Sequence, residues 1–291
     1  MITLKKVSKT IVKHHIIKDF SLEIEAKKIT AIIGPNGSGK TTLFRLITGL
    51  YRPTTGDIER TLPTERCFFL QGNEMLYPIL SGKDHLELIA KAYQPKRSID
   101  SVTRLLQIDG FINLKVKTYS LGMKQQLLFA MALLSEAELY VLDEPLNGLD
   151  LLVSKQIKQH IKRLIADDKT VIFSTHQLQD VDELADVVHF IKKGVLVEAD
   201  NLVDPLTDSY HLQLEKQLTD EEKQRLLACE TIKNIKHMSN TEIIVEIEQQ
   251  TIRLLMAIFS QWNINVLKLT LLAAKTTYNY EAIYSDEVTS D

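Results

Sequence analysis

Only two cysteines, Cys67 and Cys229, occur in the 291 residues of this chain. That excludes a disulfide framework and suits a reducing compartment. Long hydrophobic runs are missing too. The longest, residues 127–134, is cut off by Ser135-Glu136, well short of the roughly 18 apolar residues that a membrane-crossing helix needs. The opening Met1-Ile2-Thr3-Leu4-Lys5-Lys6 has no apolar core of the secretion-signal kind, so no leader is expected. Positive charge is not in excess either. The formal net charge is -3, which leaves no global basic field to meet nucleic acid. No internal repeat or low-complexity tract is present.

What is present is ordinary for a folded chain: 44% hydrophobic and 25% charged residues. The length suits one large domain and one small one. Phe20, Leu22 and Ile24 alternate with Ser21, Glu23 and Glu25, as in a half-buried strand. Residues 29–33 form a short apolar strand ending in a glycine-rich loop. A helix is expected next, with Leu43, Leu46, Ile47 and Leu50 on one face and Gly49 near its end. Residues 72–137 read as mostly helical. One helix carries Leu86, Ile89 and Ala90 on a face, another Met123, Leu127, Met131 and Leu134. Residues 139–142 and 171–173 read as buried strands, with a helix bearing Ile157, Ile161, Leu164 and Ile165 between them. Residues 187–191 and 195–199 flank Lys192-Lys193-Gly194 as a hairpin. Strands alternating with helices argue for an α/β core with a largely parallel sheet.

A linker is expected at residues 204–208. The last eighty or so residues read as a small α+β unit, a size that suits a minor domain. Thr219-Asp220-Glu221-Glu222 is a capping box opening a helix. Ser239-Asn240 parts two strand-like runs, and Ile252, Leu255, Met256 and Phe259 mark an amphipathic helix.

The chemistry concentrates in four ordered motifs. Gly34-Pro35-Asn36-Gly37-Ser38-Gly39-Lys40-Thr41 lies between an expected strand and an expected helix, the setting of a phosphate-binding loop. Its glycines let backbone N–H groups converge on one anion, and the helix N-terminus adds its positive dipole end. Asn36, Gly37, Ser38 and Gly39 would cradle the phosphates of ATP. Lys40 would reach the β- and γ-phosphates, Thr41 would ligate Mg²⁺, and Thr42 would donate to the α-phosphate. Asp143, ending an apolar strand, is the second Mg²⁺ residue. Glu144 is the candidate general base for the attacking water. Gln71 ends the run Cys67–Leu70 and would contact Mg²⁺ or that water. His176, after Ser174-Thr175, would donate to the γ-phosphate.

The decisive motif is Tyr119-Ser120-Leu121-Gly122-Met123-Lys124-Gln125-Gln126. With the others it resembles the signature sequence of ABC (ATP-binding cassette) transporter ATPases, and Asn147-Gly148-Leu149-Asp150 is similar to their D-loop. The resemblance spans residues 1–205. It implies a RecA-like P-loop core with an N-terminal antiparallel β subdomain and a helical subdomain (72–137), followed by a small C-terminal α+β accessory domain (209–291). It implies a head-to-tail dimer, homodimer or heterodimer, in which Ser120, Gly122 and Asp150 contact ATP held by the partner subunit. It further implies an integral membrane permease as partner and a peripheral place on the cytoplasmic face of the membrane. Residues 71–85, with Leu76-Tyr77-Pro78-Ile79-Leu80, are similar to the surface that docks the permease; packing within the helical subdomain is the equal alternative.

Some positions depart from the family pattern. Leu121 replaces a glycine common in the signature, and this Ser-Leu-Gly-Met form resembles the subgroup exporting bacitracin-like and lantibiotic peptides and drugs. Ile11 aligns with the aromatic residue that stacks on adenine, so the base would rest on aliphatic surface or on His14 or His15, and base selectivity should be loose. Leu146 replaces a common threonine. Asn279-Tyr280-Glu281-Ala282-Ile283-Tyr284 lies where that subgroup often ends in an acidic-aromatic helix. The alternative function is a non-transport relative acting on ribosomes or DNA. A single cassette, no long coiled coil and the mild negative charge all disfavour it.

Overall fold

Strand β1 (Ile2–Ile11) pairs antiparallel with β2 (His14–Ile24) on one side and β4 (Thr55–Arg60) on the other. In β2, Phe20, Leu22 and Ile24 are buried while the residues between them are exposed, as period-2 alternation demands. The β1–β2 connection turns through Val12 and Lys13, at φ 44° and 68°. That left-handed geometry makes a tight hairpin but is costly for a β-branched residue. β4 was not expected from the sequence. Only Ile58 in it is apolar, and pairing to the β1 edge, not hydrophobic alternation, makes it a strand.

The computed structural model describes residues 1–197, 207–229, 232–237, 239–248, 251–271, 280 and 283–284. The chain divides into the units Met1–Val197 and Glu198–Asp291.

In the first unit a six-stranded sheet runs in the order β5-β6-β7-β3-β8-β9. Its strands are β3 (Ile29–Ile33), β5 (Cys67–Leu70), β6 (Leu139–Leu142), β7 (Thr170–Ser174), β8 (Val187–Lys192) and β9 (Val195–Leu196). All neighbours are parallel except β8 and β9. Every residue of β3, β5, β6 and β7 is buried, which is why these strands read as unbroken apolar runs. Parallel pairing also puts their carboxyl ends on one edge, where ligands of open α/β sheets bind.

Helices α1 (Lys40–Ile47), α5 (Leu151–Ala166) and α6 (Leu178–Leu184) belong to this core. Between β5 and β6 lie α2 (Gly82–Tyr93), α3 (Ile99–Leu106) and α4 (Leu121–Ser135). Residues 127–135 of α4 are all buried, so this helix is apolar all round and not merely striped. α1 is shorter than its sequence pattern suggests. Thr48 Oγ1 donates back to Phe44 O at 2.8 Å, Gly49 takes φ 79°, and Leu50 lies beyond the helix, 58% exposed.

The second unit is β10 (Thr207–Leu214), α7 (Asp220–Leu227), β11 (Ile232–His237), β12 (Glu242–Glu248), α8 (Ile252–Gln261) and β13 (Val266–Leu271). Its antiparallel sheet has the order β11-β12-β10-β13, the arrangement of a ferredoxin-like split βαβ unit. The Thr219–Glu222 capping box opens α7 as expected. Leu212, Val245, Leu255 and Phe259 are central to its core. Most of the expected linker, residues 204–206, lies outside the described residues, and 207–208 begin β10. Of the terminal stretch 279–284, only Tyr280, Ile283 and Tyr284 are described, all helical.

Candidate active site

The chain leaves β3 through residues 34–39 and enters α1. Gly39 takes φ 111°, and a Cβ there would stand 2.9 Å from Ile17 Cδ1. Backbone and space both select glycine. No side chain caps α1, and its first turn contains no acid. Its leading N–H groups and positive dipole end are therefore available to an anion.

Lys40 is 8% exposed, with Nζ donating to Gly34 O at 2.7 Å and Pro35 O at 3.0 Å. Burial lowers its pKa, opposed by the charges of Glu144 and Asp143. A buried ammonium bonded only to carbonyls is a seat for anionic oxygen.

Asp143 follows β6 directly, and its N–H donates to Leu70 O at 2.9 Å, extending the β5–β6 ladder. Thr41 Oγ1 donates to Asp143 Oδ2 at 2.6 Å, and Ser174 Oγ donates to Asp143 Oδ1 at 2.5 Å. The Ser174 oxygen also accepts from Glu144 N–H at 3.0 Å. One hydroxyl thus sets the carboxylate of Asp143 and the backbone of Glu144. Glu144 itself takes φ 50°, a left-handed conformation uncommon for a non-glycine residue. Its Oε2 accepts from Asn147 Nδ2 at 3.2 Å and lies 3.6 Å from His176 Nδ1. Gln71 Oε1 accepts from Arg45 Nη2 at 3.4 Å.

A cleft of about 520 Å³ gathers most of these groups. Asn36, Gly37, Gly39, Lys40, Thr41 and Thr42 form one wall, and Gln71, Asp143 and Glu144 another. Other expected residues lie elsewhere. The Ser38 side chain is buried, while its carbonyl accepts from Gly194 N–H at 2.9 Å. His176 is exposed and reaches the site only through Glu144. Ser120 Oγ caps α4, accepting from Met123 N–H at 3.2 Å, and Gly122 follows in its first turn. Asp150 Oδ1 caps α5, accepting from Leu152 and Val153 N–H at 2.9 and 3.0 Å. Ile11 pairs with His14 at the hairpin end, and Ile16 lines the cleft. The hairpin register puts Ile16 there.

Sequence reasoning gave no role to Ser174, Asn147, Ile16 or Gln125. Asn147 and Gln125 line the cleft from inside recognised motifs, and buried Gln125 Oε1 has no hydrogen-bond partner. Ser174 had no local signal. Its place beside Asp143 depends on β6 pairing with β7, where Leu142 faces Phe173.

The donor chemistry fits Mg²⁺ with a polyphosphate. Among the described residues, no cluster of three or more His, Cys, Asp or Glu is placed to cage a metal. Thr41 and Asp143 offer one hydroxyl and one carboxylate, the sparse hard-oxygen set of a magnesium ion that arrives with phosphate and keeps its waters. The uncapped α1 and Lys40 supply the matching anion seat.

In the expected docking segment, Tyr77 and Ile79 are 61% and 74% exposed, but Leu76 is buried. Buried His85 pins this segment. Its Nε2 accepts from Tyr77 N–H at 2.9 Å, and its Nδ1 lies 2.7 Å from Ser81 O. Among the described residues no helix is long and apolar enough to cross a membrane.

Residues 17–147 match the family described as ABC transporter. The chain is 34% identical over 231 residues to the ABC transporter ATP-binding protein YhcH of Bacillus subtilis, covering 74% of this chain and 76% of that protein. It is 32% identical over 206 residues to the lantibiotic transport ATP-binding protein SrtF of Streptococcus pyogenes, covering 68% and 89%. The dimeric bacterial ABC transporter cassette MJ0796 superposes with a TM-score of 0.62 at 26% identity, covering 68% of this chain and 97% of that one. With the phosphate loop, the paired acids and the signature helix in place, this chain belongs to the ABC transporter family as an ATP-binding, ATP-hydrolysing subunit.

Proposed function

We propose that this subunit energises a separate integral membrane permease that exports a peptide, drug or related compound. The observation that carries the reading is the run from Gln71, which lines the nucleotide cleft, to Tyr77 and Ile79, which are exposed six and eight positions on. Large exposed apolar side chains so close to a nucleotide-contacting residue suit a surface that reports the state of the cleft to a partner. The likeness to SrtF supports export and a peptide cargo.

The subunit works peripherally at the cytoplasmic face of the membrane, paired head to tail with a second ATPase subunit. Residues 36–42 bind the phosphates, and Thr41 and Asp143, with help from Gln71, would hold a Mg²⁺ that would supply neutralising charge to them. Glu144 takes a proton from the attacking water, and His176 steadies the reacting geometry. Ser120, Gly122 and Asp150 face the partner's nucleotide, so ATP binds the closed pair better than the open one and drives the cycle. Residues 1–205 act as the ATPase domain, and residues 209–291 as an accessory domain.

The test is affinity purification of the tagged chain from its native membrane in mild detergent, with mass spectrometry. A stoichiometric polytopic membrane protein is expected. Ribosomal or DNA-bound partners without one would overturn the transport reading. Glu144→Gln should retain ATP binding, lose about 10²–10⁴-fold in turnover and accumulate as a nucleotide-bound dimer. Normal turnover would remove Glu144 from the base role.

A further inference from the structure

We propose that Leu121 and Gly148 form a packed joint that holds the Glu144 carboxylate in its working orientation, making Leu121 a positioning residue for hydrolysis. The proposal rests on the reading of Glu144 as the base.

Leu121 opens α4, directly after the capping residue Ser120. Although 48% exposed, its side chain fills the space over Gly148. A Cβ on residue 148 would overlap Leu121 Cδ2 and stand 2.8 Å from Cγ, and the backbone there has φ 74°. Position 148 therefore takes glycine for conformation and for space. A Cβ on Gly122 would meet only Gly148 O, at 4.0 Å. Leu121 thus rests on a backbone surface that cannot grow a side chain.

Gly148 is fixed to the base through its neighbour. Asn147 N–H donates to Glu144 O at 3.2 Å, and Asn147 Nδ2 donates to Glu144 Oε2 at 3.2 Å. The His176 contact also falls on Oε2, leaving Oε1 to take the proton. On the other side, α4 is anchored by its fully buried stretch 127–135. A helix set in the core therefore presses through Leu121 onto Gly148, and the turn carrying Gly148 holds the Asn147 amide against Glu144. Releasing the joint lets the turn relax and the carboxylate rotate. Misplacing a reacting group by about 1 Å costs on the order of a hundredfold in rate.

The test uses the full chain and compares Leu121→Ala, Asn147→Ala, the double variant and Leu121→Met, measuring ATP binding and the kcat and KM of hydrolysis. Leu121→Ala and Asn147→Ala should each lower kcat about ten- to hundredfold, with KM and ATP affinity within about twofold. The double variant should be no worse than the poorer single one, because both cut the same connection. Leu121→Met, which keeps the side-chain volume, should restore kcat. An unchanged kcat in Leu121→Ala, or multiplied losses in the double variant, would overturn the joint. Glu144→Gln serves as the control. If it too turns over normally, the assignment of the base fails first, and the two failures are told apart.

Discussion

Thr41 and Asp143, 102 positions apart in the chain, share a hydrogen bond of 2.6 Å between the start of α1 and the end of β6. Closing that distance is what the parallel sheet does for the site, and the two oxygens are those a magnesium ion would use. Asp143→Asn keeps the shape and removes the charge. Loss of one charged interaction of about 1.5–3 kcal/mol should raise the Mg²⁺ concentration for half-maximal hydrolysis about ten- to hundredfold. Thr41→Ser, which keeps the hydroxyl, should titrate nearly as the parent does. A metal titration of hydrolysis decides it, and an Asn variant that matches the parent would exclude Asp143 as a metal residue.

Ile16 lines the cleft, and Ile11 pairs with His14 at the end of the β1–β2 hairpin. Neither is aromatic, so stacking worth about 1–3 kcal/mol per base is missing at both positions. GTP should therefore displace a fluorescent ATP analogue within about tenfold of the ATP concentration that does so. Ile16→Ala should weaken both nucleotides alike, by about 1 kcal/mol of lost apolar contact. Strict ATP preference in the competition would show that a polar group reads the base.

These residues also show how far the sequence could be read. The phosphate loop, Asp143 and Glu144 were legible because each sits at a fixed offset from a locally apolar strand, and β3 and β6 are buried at every residue. In the second unit, the capped helix at Thr219, the two runs parted by Ser239-Asn240 and the amphipathic helix were legible for the same local reason. Ser174 was not, because its role depends on which strand lies beside β6. β4 was not, because edge pairing can recruit a polar segment that no alternation announces. Leu50 kept the helical spacing, yet the chain had already turned at Thr48 and Gly49. That Ile16 lines the cleft needed the folded β1–β2 pair to be read.

A buried ion pair joins α5 to α6, the helix that follows the His176 loop. Lys158 Nζ lies 2.6 Å from Asp180 Oδ1 and 2.8 Å from Glu183 Oε2, and Asp180 is only 3% exposed. Asp180 Oδ2 has no hydrogen-bond partner of its own, so Lys158 is the main compensation for that charge. Lys158→Met should destabilise the chain by about 3–5 kcal/mol, because it strands a buried carboxylate. Adding Asp180→Leu should recover most of the loss, since no charge is then left behind. Denaturant unfolding of the single and double variants tests this. Equal losses in both would mean that packing, not charge, holds α6.

Acid should weaken the fold in separate pH windows. Burial lowers the imidazole pKa of His189, and burial with help from Arg163 and Arg97 lowers that of His160. His189 Nε2 is buried without a hydrogen-bond partner, so a proton there has nothing to meet. Above the ordinary imidazole value of 6.5 both states are neutral and neither histidine affects stability. As pH falls through that value the unfolded chain takes up protons that the folded chain refuses, so stability declines. Glu183 acts lower. The hydrogen bond from Lys158 holds its pKa below the ordinary 4.5, so its contribution is complete above that value and is lost as pH falls through the lowered one. Tm measured from pH 8 down to 4 should therefore start to fall near 6.5 and steepen below 4.5. His189→Gln should flatten the first decline and leave the second in place, whereas an unchanged first decline would assign it to other groups.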